Sequence, residues 1–490
     1  MPSPVFRAGV SAVALAAAVV SAVVAVPATA SAAPSQVPAH TDDFNGDGYA
    51  DAAFAAPSAT VNGKAKAGHV AVMYGSATGL KSASKQVFHQ DAAGIPDGAE
   101  AGDAFGGSVS SADLDRDGYA DLVVGAVGED AGAVANTGSL TVIWGGAKGL
   151  SGGATPAAGE EEYDAVGSLT RAGDFDGDGA TDIVTIAGSH HVRVLSGPFG
   201  RDGSARTSAE IRDMNDLRFL DTAAADVNGD GASDLVAVVN AGDEFDARRI
   251  LYWRGTSQGL APVSTVNGVN GGWIQGGEHL ATGDVNQDGF ADIVVGRAID
   301  GYDSDLDTPL AKGGMVTYVP GSATGPQGTK AKAFNQDTPG VPGTAESSDG
   351  FGASVSVSDM NGDGYGDIAV GVPSEALGTL KAAGTVTVLR GTAAGPTGAK
   401  AQGFNQDTPL IGGAAEAGDR FGGAVKLVDA NGDGRSELLV GAPGENAGAG
   451  SVWVLPGTTA GITATGSFTF GAGTLGTVAP GAALGTSFNR

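Results

Sequence analysis

The chain has 490 residues, no cysteine and a formal charge of −28. The acidity argues against a nucleic-acid surface, which needs clustered Lys and Arg. The missing cysteine removes disulfides as a source of stability, so a large core or bound ions must supply it.

Residues 1–32 read as a secretory signal. Arg7 is their only charged side chain, Ala8 to Val26 is apolar, and Ala30-Ser31-Ala32 is a small-residue cleavage site, cut after Ala30 or Ala32. No later stretch is apolar enough to span a bilayer. The mature protein is therefore expected to be secreted, soluble and without a membrane span. Residues 33–42 form a short polar linker.

From Asp43 one motif recurs: Asp-x-Asp/Asn-x-Asp-Gly-x-x-Asp, then a β-branched apolar run. It begins at Asp43, Asp113, Asp174, Asp226, Asp284, Asp359 and Asp429, at intervals of 70, 61, 52, 58, 75 and 70 residues. Seven copies that run nearly end to end indicate one closed array rather than several unrelated domains.

Hard cations such as Ca²⁺ take six to eight oxygen ligands. Positions 1, 3, 5 and 9 of the motif offer side-chain oxygens, position 7 a backbone carbonyl, and the Gly at position 6 permits the tight turn. The candidate ligands are Asp43, Asn45, Asp47, Tyr49 and Asp51 in the first loop. In the second they are Asp113, Asp115, Asp117, Tyr119 and Asp121, and in the third Asp174, Asp176, Asp178, Ala180 and Asp182. Asp226, Asn228, Asp230, Ala232 and Asp234 form the fourth set, and Asp284, Asn286, Asp288, Phe290 and Asp292 the fifth. Asp359, Asn361, Asp363, Tyr365 and Asp367 form the sixth. The seventh is Asp429, Asn431, Asp433, Arg435 and Glu437, where Glu replaces Asp at position 9 and alters the geometry. An EF-hand needs Glu at position 12. Phe54, Val124, Thr185, Ala237, Val295, Val370 and Val440 stand there, so that motif is rejected. The loops hold 23 of the acidic side chains, and seven Ca²⁺ would halve the net charge to about −14.

Each loop sits in a β-rich unit. In the second, Phe105–Val109, Leu122–Ala126 and Ser139–Trp144 read as strands, and Gly145 to Leu150 as a turn. Helical periodicity is absent outside the signal, so the class is all-β. The third and fourth repeats are degenerate: Val166-Gly167 replaces Phe-Gly in one, and Phe219 lacks a following Gly in the other. The fifth carries an acidic insert from Asp300 to Asp307.

Other chemistry weighs less. Gly255-Thr256-Ser257-Gln258-Gly259 matches a nucleophile elbow, but the same turn recurs at Gly75, Gly145, Gly321, Gly391 and Gly457 without the Ser. His190 and His191 point to opposite faces of a strand and cannot easily chelate together. Trp144, Trp253 and Trp453 recur in the third strand and read as structural, which leaves Trp273 as the one candidate ligand platform. Gln90-Asp91, Gln336-Asp337 and Gln406-Asp407 each precede an acid (Asp103, Asp349, Asp419) by 13 residues counted from the Gln, with Glu100, Glu346 and Glu416 just before it. These segments read as inter-blade loops held by their own hydrogen bonds, or as a ligand-facing surface.

Phe-Gly-x-x-Val, the acidic loop and Val440-Gly441-Ala442-Pro443 together resemble the FG-GAP repeat of integrin α-subunit heads and of secreted bacterial FG-GAP or VCBS-repeat proteins. The resemblance covers about residues 42–490. It implies a seven-bladed β-propeller of four-stranded antiparallel blades, one Ca²⁺ loop in a hairpin of each, and a partner site on the opposite face. Leu484-Gly485-Thr486-Ser487-Phe488 has the shape of the Phe-Gly strand that the first repeat lacks. Residues 33–490 are thus expected to form one propeller closed by pairing of that strand in blade 1. The functional expectation is a secreted, monomeric, calcium-binding module of binding or adhesion type for an extracellular protein or glycan, without catalysis. The rival readings are a carbohydrate-active enzyme (polysaccharide lyase or hydrolase) and a lectin.

Overall fold

The computed structural model describes residues 1–4, 42–188, 191–211, 214, 217–242, 247–274, 276–300, 302–303, 308–309 and 312–490. The chain divides into Met1–Val37 and Pro38–Arg490. Of the first unit only residues 1–4 are described, and they carry no regular structure. The signal expectation, apart from those four residues, and most of the insert 300–307 lie outside the described residues, as does His190.

The second unit is a seven-bladed β-propeller. Each blade is a four-stranded antiparallel sheet, a meander in blades 2 to 7. Blade 2 runs from Phe105–Ala112 through Asp121–Ala126 and Ser139–Trp144 to Ser151–Ala158. Blades 3 to 7 repeat the plan, with innermost strands Thr170–Gly173, Leu217–Ala225, His279–Gly283, Ser354–Ser358 and Ala424–Val428. Six of the seven second strands, Asp121–Ala126 and Asp367–Val372 among them, are buried along their whole length, and Asp234–Ala241 is buried except at its last two residues. That explains their continuous apolar runs, since both faces meet neighbouring blades. Two four-residue helical turns, Glu445–Gly448 and Ala472–Leu475, are the only α-assigned segments among the described residues.

The Phe-Gly and Gly-Ala-Pro signatures have one packing cause. The Gly of Phe-Gly adopts a left-handed φ, +98° at Gly352 and +89° at Gly422, which favours glycine. There it lies against the second strand of the preceding blade. A Cβ on Gly371 would stand 2.0 Å from the Gly422 carbonyl oxygen, and one on Gly125 equally near that of Gly167. Gly296 meets Gly352, and Gly441 meets Gly485, in the same way. The junction of blades 3 and 4 loses both halves of this contact. Blade 4 lacks the Gly after Phe219, and Ile186 of blade 3 occupies the register that Gly125 holds in blade 2.

Blade 1 comprises Ala52–Ala56, His69–Met73 and Lys85–Phe88, with Ser487–Phe488 as its innermost strand. Phe54 pairs with Phe488 and Ala55 with Ser487. The paired segment is thus two residues long, shorter than the five-residue stretch read from sequence. Leu484 and Gly485 instead pack on blade 7, where Leu484 accompanies Gly450 in a parallel bridge. Phe54, Met73, Leu439, Val454, Phe470, Leu484 and Phe488 form one apolar cluster between blades 7 and 1.

Candidate metal centres and the propeller axis

In blades 2 to 7 the acidic loop joins the innermost strand to the second strand, and in blade 1 it leads directly into the second strand, so all seven lie at one end of the sheets. Their backbone fold is the same. The position 1 carboxylate accepts the N–H of the position 6 glycine in every loop, from Gly48 on Asp43 (2.8 Å) to Gly434 on Asp429 (2.8 Å). All seven of those glycines have positive φ, between 79° and 92°, which explains why only Gly stands there. The position 5 carboxylate accepts the position 7 N–H, as in Asp47 from Tyr49 and Asp363 from Tyr365, both 3.1 Å. The position 7 carbonyl remains a backbone group whose side chain is immaterial, consistent with Tyr, Ala, Phe and Arg at that place.

Position 9 roots the loop in its blade. Asp51, Asp121, Asp182, Asp234, Asp292 and Asp367 are almost fully buried. One oxygen of each accepts the position 2 N–H, and the other accepts the N–H of the glycine that opens the turn after the third strand. Gly255 makes this bond to Asp234 at 2.8 Å, so the Gly255–Gly259 segment is a structural turn, not a nucleophile elbow. Glu437 reaches only the Ala430 N–H in this way, and its other oxygen takes the Asn431 amide. The asparagines at position 3 also serve position 9: Asn228 donates to Asp234 and Asn361 to Asp367. Tyr252 and Tyr318 add hydroxyl donors to Asp234 and Asp292.

Burial raises the position 9 acids, and the neighbouring carboxylates add to it in most loops. Asp51 is pushed up to about 8, Asp121 and Glu437 to about 7, and Asp182, Asp292 and Asp367 to about 6. Asp113 and Asp117 rise for the same reasons. Acid groups packed in this way are short of positive charge. Three carboxylates bring an oxygen each within 4.8 Å of one another in the second loop (Asp113, Asp115, Asp117) and in the third (Asp174, Asp176, Asp182). The donor set is all oxygen and mostly anionic, which fits a hard divalent cation.

Sequence reading missed two cations here. Arg201 and Arg206 both stand on the hairpin after the third strand of blade 3. Arg201 holds Asp115 (2.6 Å) and Asp117, and Arg206 holds Asp176 (2.7 Å) and Asp178. These are the two loops with Asp at position 3, so each guanidinium balances the extra charge. The signal was present: both arginines lie in one short turn beside the only four-carboxylate loops.

The axis carries a second polar group. Asp221 lies between Arg171 (2.6 Å) and Arg490 (2.5 Å) and accepts the Leu280 N–H. Despite its burial, these arginines hold its carboxyl below the usual range. His279 nearby is lowered to about 4 by burial. Asp42 is bound by Lys426 (2.8 Å) and Asn489 (2.7 Å). Both axial acids are therefore committed to ion pairs, and Asp42, Arg171, His279 and Arg490 line a cavity of about 400 Å³ there.

The remaining candidates resolve simply. Arg249 lies 3.2 Å from the centroid of the Trp273 ring, covering one face of it. Trp144, Trp253 and Trp453 are buried. Asp91, Asp337 and Asp407 each accept the N–H of the alanine eight residues on, Ala99, Ala345 and Ala415, so these loops are held by their own hydrogen bonds.

Comparison with known proteins agrees with this architecture. Residues 38–73, 105–143, 351–389 and 421–455 match the FG-GAP repeat, and 174–237 and 226–295 match an FG-GAP-like repeat. The second pair covers the repeats whose Phe-Gly element is degenerate. Integrin alpha pat-2 of Caenorhabditis briggsae is 31% identical over 46% of this chain and 18% of its own length. Phosphatidylinositol-glycan-specific phospholipase D of Rattus norvegicus is 29% identical over 38% of this chain and 22% of its own. Integrin alpha-8 of Mus musculus is 32% identical over 31% of this chain and 13% of its own. The matches thus span about a fifth of the length of these relatives or less. Among solved structures, a subtype N11 neuraminidase-like protein aligns with a TM-score of 0.36 and 10% identity over 74% of this chain and 84% of that one, a likeness too distant to bear on fold or function. Seven four-stranded blades, the acidic loop at one end of each and the matched repeats together make the chain a member of the FG-GAP-repeat β-propellers, integrin-α-like in its repeats.

Proposed function

We propose that this chain is a secreted, calcium-binding propeller that acts as a binding or adhesion module for an extracellular protein or glycan. The observation that carries the reading is the sevenfold loop. Seven short segments of differing flanks keep one backbone fold around convergent oxygens. Calcium would be held by the side chains at positions 1, 3, 5 and 9 and the carbonyl at position 7. When bound, it supplies positive charge to carboxylates that burial otherwise disfavours, and it stiffens one end of every blade. The opposite end is then the face free for a partner. Integrin α-chains stand among the relatives, which favours protein binding. Residues 1–32 would be removed on export, and residues 33–490 would form the propeller, closed by Ser487–Phe488 in blade 1 and monomeric.

The enzyme reading has less support. The acids nearest the axis, Asp221 and Asp42, are tied to Arg171, Arg490 and Lys426, and a general acid or base needs a group free to exchange its proton. A screen of immobilised matrix proteins and glycans, run in calcium and in chelator, tests the proposal. Retention that depends on calcium is the expected result. Polysaccharide cleavage during the screen would replace this reading with the enzymatic one.

A further inference from the structure

The ends of the sheets opposite the acidic loops hold a second repeated cluster. At the junction of blades 6 and 7, Gln406 donates its amide nitrogen to Glu445 Oε2 at 2.6 Å. Gln336 does the same to Glu375 at 2.7 Å between blades 5 and 6, and Gln90 to Glu129 between blades 1 and 2. The two partners are 39 residues apart each time. The Gln belongs to the connector that leaves one blade, and the Glu to the second hairpin of the next.

Each pair has a buried Asp beside it: Asp103, Asp349 or Asp419. The carboxyl of Glu445 lies near enough to Asp419 to share a hydrogen bond with it, and it feels Glu416 as well. Glu129 and Glu375 feel the corresponding acids. The exposed Glu at the mouth donates its backbone N–H to the Asp carboxylate, at 2.6 Å from Glu346 and 2.7 Å from Glu416. Lys64 and Lys312 do little to offset the acids around Asp103 and Asp349, and Lys64 is itself paired with Asp91.

What sets these clusters apart from ordinary acidic turns is the glutamine. Gln90, Gln336 and Gln406 are at most 4% exposed, and the Oε1 of all three has no hydrogen-bond partner. A buried acceptor without a donor is costly, and here it recurs three times next to two or three carboxyl groups. The Gln amide nitrogen is already spent on the Glu carboxylate, so the groups left to offer are the Oε1 and the carboxylate oxygens. An amide oxygen with converging carboxylates is the donor set of a hard divalent cation.

We propose that the junctions of blades 1–2, 5–6 and 6–7 are three further divalent-cation sites of the calcium class, each liganded by the Gln Oε1 and the neighbouring Asp and Glu. They are distinct from the seven loops, since they lie at the other end of the sheets. A cation there ties two successive blades together and orders the connector on the face opposite the acidic loops.

The test counts bound ions. The purified protein is dialysed against excess calcium, and the ions per chain are measured by atomic emission. The triple variant Glu129→Gln, Glu375→Gln, Glu445→Gln keeps side-chain size and is expected to hold three fewer ions than its parent with an unchanged circular dichroism spectrum. Glu445→Gln alone is expected to hold one fewer, and it decides the matter if the triple variant does not fold. Asp113→Asn in the second acidic loop reports on the other class of site, so the two kinds of failure separate. An ion count unchanged by the glutamine substitutions overturns the proposal, whether ordered water or a shared proton fills the clusters instead.

Discussion

Replacing Phe488 with Ala tests how the ring is held between its first and last blades. Phe488 is 4% exposed and pairs with Phe54 in the innermost ladder of blade 1. Its ring meets that of Phe54 edge to face at 5.7 Å, and Phe54 in turn meets Phe470 of blade 7 at 5.0 Å. The side chain therefore fills the seam between two blades instead of capping one of them. A buried Phe→Ala change costs about 3–5 kcal/mol through lost transfer energy and the cavity left behind. Asn489 and Arg490 anchor the same end through Ala53, Asp42 and Asp221, which places Phe488→Ala toward the lower half of that range. Urea unfolding in saturating calcium measures the loss. Val478→Ala, at an exposed position, is the control and should stay within about 0.5 kcal/mol of the parent. A loss below about 1 kcal/mol for Phe488→Ala would show that the seam does not depend on this residue and would refute the reasoning.

Three further outcomes are expected. In chelator, folding raises the position 9 acids above their unfolded value of 3.8, to about 8 at Asp51 and about 6 at Asp367; the folded state then binds protons more tightly, so stability present near pH 4 is lost as pH rises through 6 to 8, whereas calcium should reverse this slope. Thermal melts across that window, with and without calcium, read both signs. Arg201→Gln with Arg206→Gln should lower the melting temperature in chelator and strengthen calcium binding at the second and third loops, because two internal cations are removed from Asp115, Asp117, Asp176 and Asp178; isothermal titration checks the second effect. Export should leave a new N-terminus after Ala30 or Ala32, and mass spectrometry of the culture supernatant showing Met1 would contradict it.

The blades were legible because their signals are local. A loop of nine residues contains its own glycine turn, its position 1 acceptor and its position 9 root, so seven copies can be recognised one at a time. The Phe-Gly and Val-Gly-Ala signatures were legible as motifs, but their cause was not. Gly371 and Gly422 are far apart in sequence and meet only when blades 6 and 7 pack. For the same reason the double loss at Ile186 and after Phe219 looked like mere degeneracy. Arg201 and Arg206 escaped notice because a guanidinium can serve a loop of the preceding blade, as Arg201 serves Asp115, or of its own, as Arg206 serves Asp176. The axial group of Arg171, Asp221 and Arg490 draws its members from blades 3, 4 and 1 and has no sequence pattern. The fixed Gln-to-Asp spacing was visible, whereas the glutamate 39 residues further on becomes meaningful only through its hydrogen bond.

The central claim, that calcium in the acidic loops holds the propeller together, is tested most directly by thermal unfolding before and after chelation. Ions that bind only the native state stabilise it by mass action, and the freed carboxylates then repel one another. The account predicts a large fall in melting temperature in chelator that is restored when calcium is returned. A melting curve the same with and without chelator would contradict it.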